Sequence, residues 1–213
     1  YGGSAAVAPE LRHVLDGAEL ADSLVVNPHK WLFTPMDCSA LYVRRPEVVR
    51  RAFALVPEYL VTAEQGAAPN LMDYGVALGR RFRALKLWMV LRTFGADGVA
   101  ERVRYHCALA REFAGWVEAE PGWELAAPVS LSLVCFRFAP DGLTAAAQDA
   151  LGERILAAVN ATGEVYLSHT RLGGRHVLRL AVGNVRTERR HVARAWALLR
   201  REAAAALTGA GAA

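Results

Sequence analysis

Lysine is nearly absent from this sequence, and one of its two lysines, Lys30, lies where an amine could do chemistry. The other 23 basic residues are arginines, whose guanidinium cannot form a Schiff base, whereas a desolvated lysine amine can. Lys30 follows an apolar segment, 24–26, and precedes the run Trp31-Leu32-Phe33. This setting predicts an amine that is buried among aromatic residues. The alternative interpretation is a surface lysine whose stem lies on those rings while its head reaches water.

Two polar residues accompany Lys30 in the same short segment. Asn27 precedes Pro28, which is a common position for a turn residue. His29 is next to the lysine, where a neutral imidazole could orient a substrate carboxylate, although a packed or solvated histidine is the simpler interpretation. Four later histidines lack the spacing of metal ligands and are interpreted as structural. They are His106, His169, His176 and His191.

The composition bounds the class of protein. The 213 residues are 54% hydrophobic, which is enough for a core in one large domain or two modest ones. The net charge of +4 is mild, and the densest basic run, Arg80-Arg81-Phe82-Arg83, is interpreted as a solvated helix face or an ion-pair cluster. We therefore expect no nucleic-acid partner. No uncharged apolar run reaches the length of a membrane span, and we expect no secretory signal and no membrane partner.

The cysteines indicate the redox compartment. Cys38, Cys107 and Cys135 are far apart, odd in number and placed in apolar segments. Buried free thiols are therefore predicted instead of a disulfide or metal framework. Such thiols suit a reducing compartment, and we expect the cytoplasm.

Hydrophobic periodicity predicts two kinds of architecture along the chain. In the first part it predicts strands 23–26 and 38–43 with a turn at 27–31, a helix 46–55, and helices 76–94 and 99–117. The stretch 57–74 has no period and predicts a functional or mobile loop. In the second part it predicts strands 123–126, 131–138, 165–168 and 177–182, a helix 143–160, and a last helix to about residue 207 capped by Thr187. This β, β, α, β, β, α order predicts a small α+β domain with helices on one face of an antiparallel sheet.

Several strings of residues resemble one known family. The segment from Asp22-Ser23 through Asn27-Pro28-His29-Lys30-Trp31 to Asp37-Cys38-Ser39-Ala40 resembles the cofactor-lysine segment of the group II pyridoxal-phosphate (PLP) decarboxylases. These enzymes include the aromatic-L-amino-acid and histidine decarboxylases. Pro57-Glu58-Tyr59-Leu60 resembles the mobile loop of the family. Three further strings resemble the segment after that loop and two small-domain strands, and they are Leu78-Gly79-Arg80-Arg81-Phe82-Arg83-Ala84-Leu85-Lys86-Leu87-Trp88, Val134-Cys135-Phe136-Arg137 and Val177-Leu178-Arg179-Leu180.

The resemblance implies a fold and a domain division. It implies an α/β chain of PLP-dependent transferase fold type I, comprising the end of the large domain and a C-terminal small α+β domain. Residues 1–95 would be the C-terminal part of the PLP-binding large domain, with the mobile loop at 57–74. Residues 96–213 would be a connector helix and the small domain. The pyridine-nitrogen aspartate, the ring-stacking histidine and most of the phosphate loop would lie upstream in a missing N-terminal half, so the chain alone is expected to be inactive.

The resemblance also implies roles for individual residues. Lys30 would carry PLP as an internal aldimine, and Asn27 would bind the cofactor phosphate. His29 would be a site residue, and Gly79 would approach the phosphate of the partner subunit in a homodimer, although simple spacing at a helix start explains that glycine nearly as well. Tyr59 would protonate the quinonoid at Cα after CO2 leaves.

Three functions stay open at this point. The first is decarboxylation of an L-amino acid, expected to be aromatic, to the amine and CO2. The second is a decarboxylating aromatic aldehyde synthase of the same fold, in which phenylalanine typically replaces the loop tyrosine, so that Tyr59 favours plain decarboxylation. The third is a non-catalytic basic binding module, against which the expected burial of Lys30 argues.

Overall fold

The computed structural model describes residues 1–54 and 70–210 of the chain. Their contacts divide the chain into two units, Tyr1–Val99 and Ala100–Ala213. The assignment of residues 1–95 to a larger cofactor-binding domain stays a prediction. Among the described residues, no helix is long and apolar enough to cross a membrane, and no group of three metal-ligating side chains is present.

The first unit is organised around a two-stranded antiparallel sheet. Strand β1, Ser23–Val26, pairs with β2, Ala40–Val43, so that Ser23 lies opposite Val43. Helix α1, Pro28–Trp31, fills part of the connection between them, and α2, Pro46–Phe53, follows β2. The described part of this unit also contains four 3-10 helices, and they are Gly2–Val7, Pro9–Leu15, Ala18–Leu20 and Leu71–Tyr74.

The predicted turn at 27–31 contains one turn of α-helix. Pro28 occupies its first position, where its fixed φ favours a helix and its missing N–H would have no helical partner. The backbone N–H of Lys30 donates to the carbonyl of Asn27 at 2.9 Å, which closes the turn. Trp31 is fully buried, and its ring lies 5.0 Å from that of Tyr1. Burial of this indole anchors the turn against the start of the chain.

The long helical segment differs from its prediction at one end. Helix α3 extends over Arg83–Ala119 and contains a non-helical residue, Gly95, at φ 67° and ψ 173°. The predicted break at Gly95 is confirmed, because glycine reaches positive φ without a steric penalty. The predicted helical start at residue 76 is wrong. The residue before the predicted start, Gly75, is extended, and ordering Gly79 in a helix would cost about 1 kcal/mol relative to alanine.

The second unit contains a four-stranded antiparallel sheet in the order β3-β4-β6-β5. Its strands are β3, Trp123–Leu125; β4, Leu133–Phe138; β5, Ser168–Leu172; and β6, Arg175–Ala181. Helix α4, Ala145–Ala161, connects β4 to β5, and α5, Arg189–Ala210, follows β6. The predicted β, β, α, β, β, α order and the antiparallel sheet are confirmed.

The core of the second unit lies on one face of this sheet. Strand β4 alternates between buried and half-buried residues, and Phe136 is among its fully buried ones. Phe113 of α3 packs edge-on against Phe136 at 5.0 Å and against Trp196 of α5 at 5.5 Å. Aromatic pairs in this geometry add about 0.5–1.5 kcal/mol to the free energy gained from burial. The helices therefore cover the face of the sheet that carries these rings.

Three predicted strands begin later than expected, and a side chain that takes backbone groups explains two of them; the third, predicted at 131–138, is observed as β4 from Leu133. The strand predicted at 165–168 shares only Ser168 with the observed β5, because Asn160 takes both backbone groups of Leu167. The Asn160 amide donates to the Leu167 carbonyl at 2.9 Å, and its oxygen accepts from the Leu167 N–H at 2.8 Å. The strand predicted from Cys38 begins at Ala40, because both backbone groups of Cys38 bond to His29.

The last helix and the cysteines complete the comparison with the predictions. Helix α5 begins at Arg189, and His191 Nδ1 accepts a hydrogen bond from the N–H of Glu188 at 3.0 Å. The capping group is therefore His191 rather than the predicted Thr187. All three cysteines are free thiols, as predicted, and the one on β4 is only partly buried.

Candidate functional site

Lys30 lies on the one-turn helix α1 with its side chain exposed. The expected burial among aromatic residues is wrong for the described chain, because Trp31 turns inward while its neighbour Lys30 faces solvent. Neighbouring residues on a helix point about 100° apart, so an anchoring Trp31 places the amine on the other side. The turn therefore presents the Lys30 amine to solvent while Trp31 packs inward.

Asn27 is oriented by a residue from the returning chain. Ser39 Oγ donates a hydrogen bond to Asn27 Oδ1. The oxygen of the amide is thereby engaged, and its two Nδ2 hydrogens are left as donors. Asn27 is the N-cap residue of the turn that carries Lys30, and its carbonyl accepts the hydrogen bond of the Lys30 N–H at 2.9 Å. An amide donor beside an amine suits an anionic ligand.

His29 exchanges two hydrogen bonds with Cys38. The backbone N–H of Cys38 donates to His29 Nδ1 at 3.1 Å, and the backbone N–H of His29 donates to the Cys38 carbonyl at 3.2 Å. A ring nitrogen that accepts a hydrogen bond carries no proton, so the imidazole is neutral and its proton is on Nε2. His29 can therefore donate from Nε2 to a carboxylate or a phosphate.

Asp37, the residue before Cys38, is held by the start of helix α3. Arg83 Nε and Nη2 each lie 2.9 Å from Asp37 Oδ2, and the Cys38 thiol points at the Arg83 carbonyl at 4.0 Å. The guanidinium hydrogen bond is the main cause of a pKa of Asp37 below its usual value, and Lys86 adds a smaller coulombic effect. The pattern of residue types gave no sign of this contact, because it joins segments more than forty positions apart.

One predicted site residue, Gly79, has no described contact with Lys30, and another lies outside the residues that the structure describes. Gly79 is exposed, and a Cβ built on it would meet nothing within 4 Å, so neither its backbone nor its described neighbours require glycine. Tyr59 lies outside the described residues. Of the predicted loop 57–74, residues 70–74 are described, and there the buried carboxylate of Asp73 pairs with Arg50 at 3.2 Å.

The donors that are present fit pyridoxal phosphate. A primary amine can bind an aldehyde, and the Asn27 amide and the His29 Nε2–H are neutral donors suited to phosphate or carboxylate oxygens. Lys30 would hold the aldehyde carbon and Asn27 the phosphate. Within residues 1–54 and 70–210 no acidic partner for a pyridine nitrogen is identified beside this turn.

Comparison with known proteins gives one consistent result. A family model described as the pyridoxal-dependent decarboxylase conserved domain matches residues 1–139. A tryptophan decarboxylase of Camptotheca acuminata is 43% identical over 203 residues, which are 94% of this chain and 40% of that protein. A phenylacetaldehyde synthase of a Rosa hybrid cultivar is 40% identical over 217 residues, covering 98% of this chain and 43% of the synthase.

Solved structures agree with the sequence comparisons. The crystal structure of Oryza sativa TDC with PLP and tryptamine superposes on this chain with a TM-score of 0.89 at 39% identity. The match covers 96% of this chain and 43% of that one. The chain thus has the fold of the PLP-dependent decarboxylases of fold type I, and it spans about two fifths of the length of the relatives it matches.

Proposed function

The chain belongs to the family of pyridoxal-dependent decarboxylases, and on that premise we propose that its protein converts an aromatic L-amino acid to the amine and CO2. The observation that carries the proposal is the arrangement of the α1 turn. The turn carries an exposed Lys30 amine together with an Asn27 amide whose oxygen accepts from Ser39 and a His29 whose Nδ1 accepts from the Cys38 N–H. This is a set of donors for an aldehyde, a phosphate and a carboxylate.

Each residue has a defined task in the proposed reaction. Lys30 would hold the aldehyde carbon of the cofactor until the substrate amine arrives, and Asn27 would donate to its phosphate. When bound, pyridoxal phosphate accepts the electron pair that departing CO2 leaves at Cα. His29 donates from Nε2 to the substrate carboxylate and so orients the bond that breaks. The hydroxyl of Tyr59 supplies the proton that Cα then takes, for which it must be positioned in a dry site.

The proposed substrate class follows from the relatives. One relative acts on tryptophan, as its name states, and a matching structure holds tryptamine, the amine of that amino acid. Identity of about two fifths over almost the whole chain supports an aromatic substrate without choosing among its members. The proposed physical unit is a homodimer that includes the remainder of the same polypeptide, and the proposed compartment is the cytoplasm.

A second function is supported by a specific relative. The phenylacetaldehyde synthase of the Rosa hybrid cultivar is almost as similar to the chain as the decarboxylases are. An aldehyde synthase uses the same cofactor but consumes oxygen instead of protonating Cα. Tyr59 favours the decarboxylase, because in the resembling family the synthases typically have phenylalanine at the matching position. The product formed by the purified protein, amine or aldehyde, separates the two functions.

A labelling experiment tests the proposed function. Borohydride reduction of the intact, cofactor-loaded protein, followed by peptide mapping, should place a pyridoxyl group on Lys30. Lys86 is the matched control, since it is the other lysine of the chain and lies on α3 of the same unit. Label on Lys86 and none on Lys30, or no label in this chain at all, would refute the assignment. Absence of any cofactor absorbance would favour the binding-module interpretation instead.

A further inference from the structure

The contacts that fix His29 continue to a pair of charged residues without a role in the proposed reaction. The backbone N–H and the carbonyl of Cys38 both bond to His29. Two groups beside this contact, the Asp37 carboxylate and the Cys38 thiol, contact Arg83. The Arg83 guanidinium holds the carboxylate of Asp37, and the Arg83 carbonyl faces the Cys38 thiol. One residue at the start of α3 therefore engages two consecutive residues of the loop after Lys30.

We propose that Asp37 and Arg83 are positioning residues that fix the proton of His29 on Nε2. They act by holding the N–H of Cys38 against Nδ1. The inference rests on the proposed role of His29 toward the substrate carboxylate, and it adds the two groups that make this histidine a donor. Neither residue touches the amine of Lys30 in any described contact.

The reason lies in the chemistry of the imidazole. A neutral histidine has two tautomers, and an N–H that points at Nδ1 leaves only the one with hydrogen on Nε2. If the loop moved, Nδ1 could take the proton, and Nε2 would then present a lone pair to an anionic ligand. That arrangement repels a carboxylate instead of binding it. Holding one backbone amide therefore decides whether His29 attracts or repels the substrate.

The exposure of the pair separates positioning from general stabilisation. The side chains of Arg83 and Asp37 are 36% and 54% exposed. Exposed ion pairs contribute only about 0–1 kcal/mol to stability. Breaking this pair should accordingly leave the folded state nearly as stable as before. Its effect should be seen locally, on the loop and on His29.

The decisive experiment measures the tautomer directly. The intact protein is prepared with 15N-histidine, and the His29 signals are identified by their absence in His29→Gln. In the parent, Nδ1 should give the signal of an unprotonated nitrogen and Nε2 that of a protonated one. Asp37→Asn and Arg83→Gln should each shift both signals toward an average of the two tautomers. An unchanged His29 spectrum in both variants overturns the proposal.

Two further variants make the experiment robust. Arg83→Lys keeps the charge with a less directional donor and should give an intermediate His29 spectrum, which decides the question if Arg83→Gln does not fold. Glu164→Gln removes another exposed arginine–carboxylate pair, with Arg194, from the second unit. That control should leave the His29 signals unchanged. A change as large as that of Asp37→Asn would show a nonspecific effect and refute the proposal.

Steady-state kinetics distinguish this inference from the proposed function. If His29 binds the substrate carboxylate, Asp37→Asn should raise KM about tenfold, as expected for loss of a hydrogen bond to a charged group. The double variant Asp37→Asn with Arg83→Gln should be no worse than either single variant, because the two residues act as one unit. An altered tautomer with unaltered KM would support the positioning pair while refuting the role of His29. An unaltered tautomer would refute the pair and leave the role of Lys30 untouched.

Discussion

Ser39 Oγ donates a hydrogen bond to Oδ1 of Asn27, which joins the residue before helix α1 to the residue before strand β2. The bond is local in space but spans twelve positions of sequence. The bond orients the side chain of Asn27, because the engaged oxygen fixes the plane of the amide. The Nδ2 hydrogens are then already oriented before a ligand binds. Binding therefore does not carry the entropic cost of ordering this side chain.

Loss of the Ser39 hydroxyl should weaken cofactor binding. In Ser39→Ala the Asn27 amide can rotate and present its oxygen to the phosphate, so we expect the dissociation constant for pyridoxal phosphate to rise about fivefold to tenfold. Titration of the apo protein with the cofactor measures it. The control is Ser130→Ala, an exposed serine of the second unit, which should bind as the parent does. Unchanged affinity in Ser39→Ala would contradict the orientation of Asn27 by this bond.

The late starts of β5 and β2 show why the Ser39–Asn27 hydrogen bond and others like it could not be predicted. Hydrophobic alternation predicted strands at 165–168 and 38–43, of which the first shares only Ser168 with β5 and the second contains β2, because alternation carries no information on side chains that capture backbone groups. Asn160 takes the N–H and carbonyl of Leu167, and His29 does the same to Cys38. A residue whose backbone groups are already bonded cannot enter a ladder. Periodicity therefore predicts where elements lie, whereas capture by a polar side chain decides where they begin.

The candidate site likewise contains residues that the sequence predicted and contacts that it did not. Residue type and the resembling strings predicted Lys30, Asn27 and His29, all of which lie within four consecutive residues. The groups that orient them, Ser39 and the pair Asp37–Arg83, depend on the path of the loop after α1 and were not predicted as partners. The predicted burial of Lys30 was also wrong, because sequence shows the neighbours of a residue but not the direction in which a single helical turn points.

Arg50 should stabilise the first unit more than an exposed arginine does. Its guanidinium contacts Asp73, whose side chain is only 3% exposed and whose Oδ1 has no hydrogen-bond partner among the described residues. Arg50→Ala would leave a buried carboxylate without its counter-charge, and we expect the free energy of unfolding to fall by about 2 kcal/mol. Urea unfolding followed by a probe in the first unit measures this change.

A matched variant makes the Arg50 prediction specific. Arg194→Ala removes an arginine of similar exposure from an exposed partner, Glu164, and should reduce stability by less than about 1 kcal/mol. Asp73→Asn combined with Arg50→Ala should recover part of the loss, since it removes the uncompensated charge. Equal losses from Arg50→Ala and Arg194→Ala would show that burial of Asp73 has no energetic consequence.

His106 should make the second unit less stable in acid. Burial is the main cause that lowers its pKa to about 4, with a smaller effect of Arg102, and a hydrogen bond involving the backbone of Asn184 opposes them. The unfolded chain, with a histidine pKa near 6.5, therefore binds more protons than the folded chain between pH 6.5 and 4. The contribution of neutral His106 to the free energy of unfolding is complete above pH 6.5. It is lost as the pH falls toward 4, by about 3 kcal/mol.

The pH dependence of unfolding tests the assignment to His106. In His106→Gln the difference in unfolding free energy between pH 7.5 and pH 4 should shrink by most of that amount, whatever the variant costs at neutral pH. His13→Gln, which changes an exposed histidine of the first unit, should keep the parent's pH dependence. If His106→Gln keeps it as well, another group titrates and the assignment is wrong.

Tyr59→Phe separates a proton donor from a packing residue. The substitution removes one oxygen atom, so a tyrosine that only packs would lose little stability and leave the reaction unchanged. If the hydroxyl protonates Cα, amine formation should fall by about 100-fold or more, as expected for loss of a general acid. CO2 release should persist, and oxygen should divert the product to an aldehyde.

Measuring CO2, amine and aldehyde in one reaction tests this prediction. The control is Tyr42→Phe, which changes an exposed tyrosine on β2 and should match the parent. A normal amine yield from Tyr59→Phe would rule out the proton-donor role and with it the main argument for a decarboxylase over an aldehyde synthase.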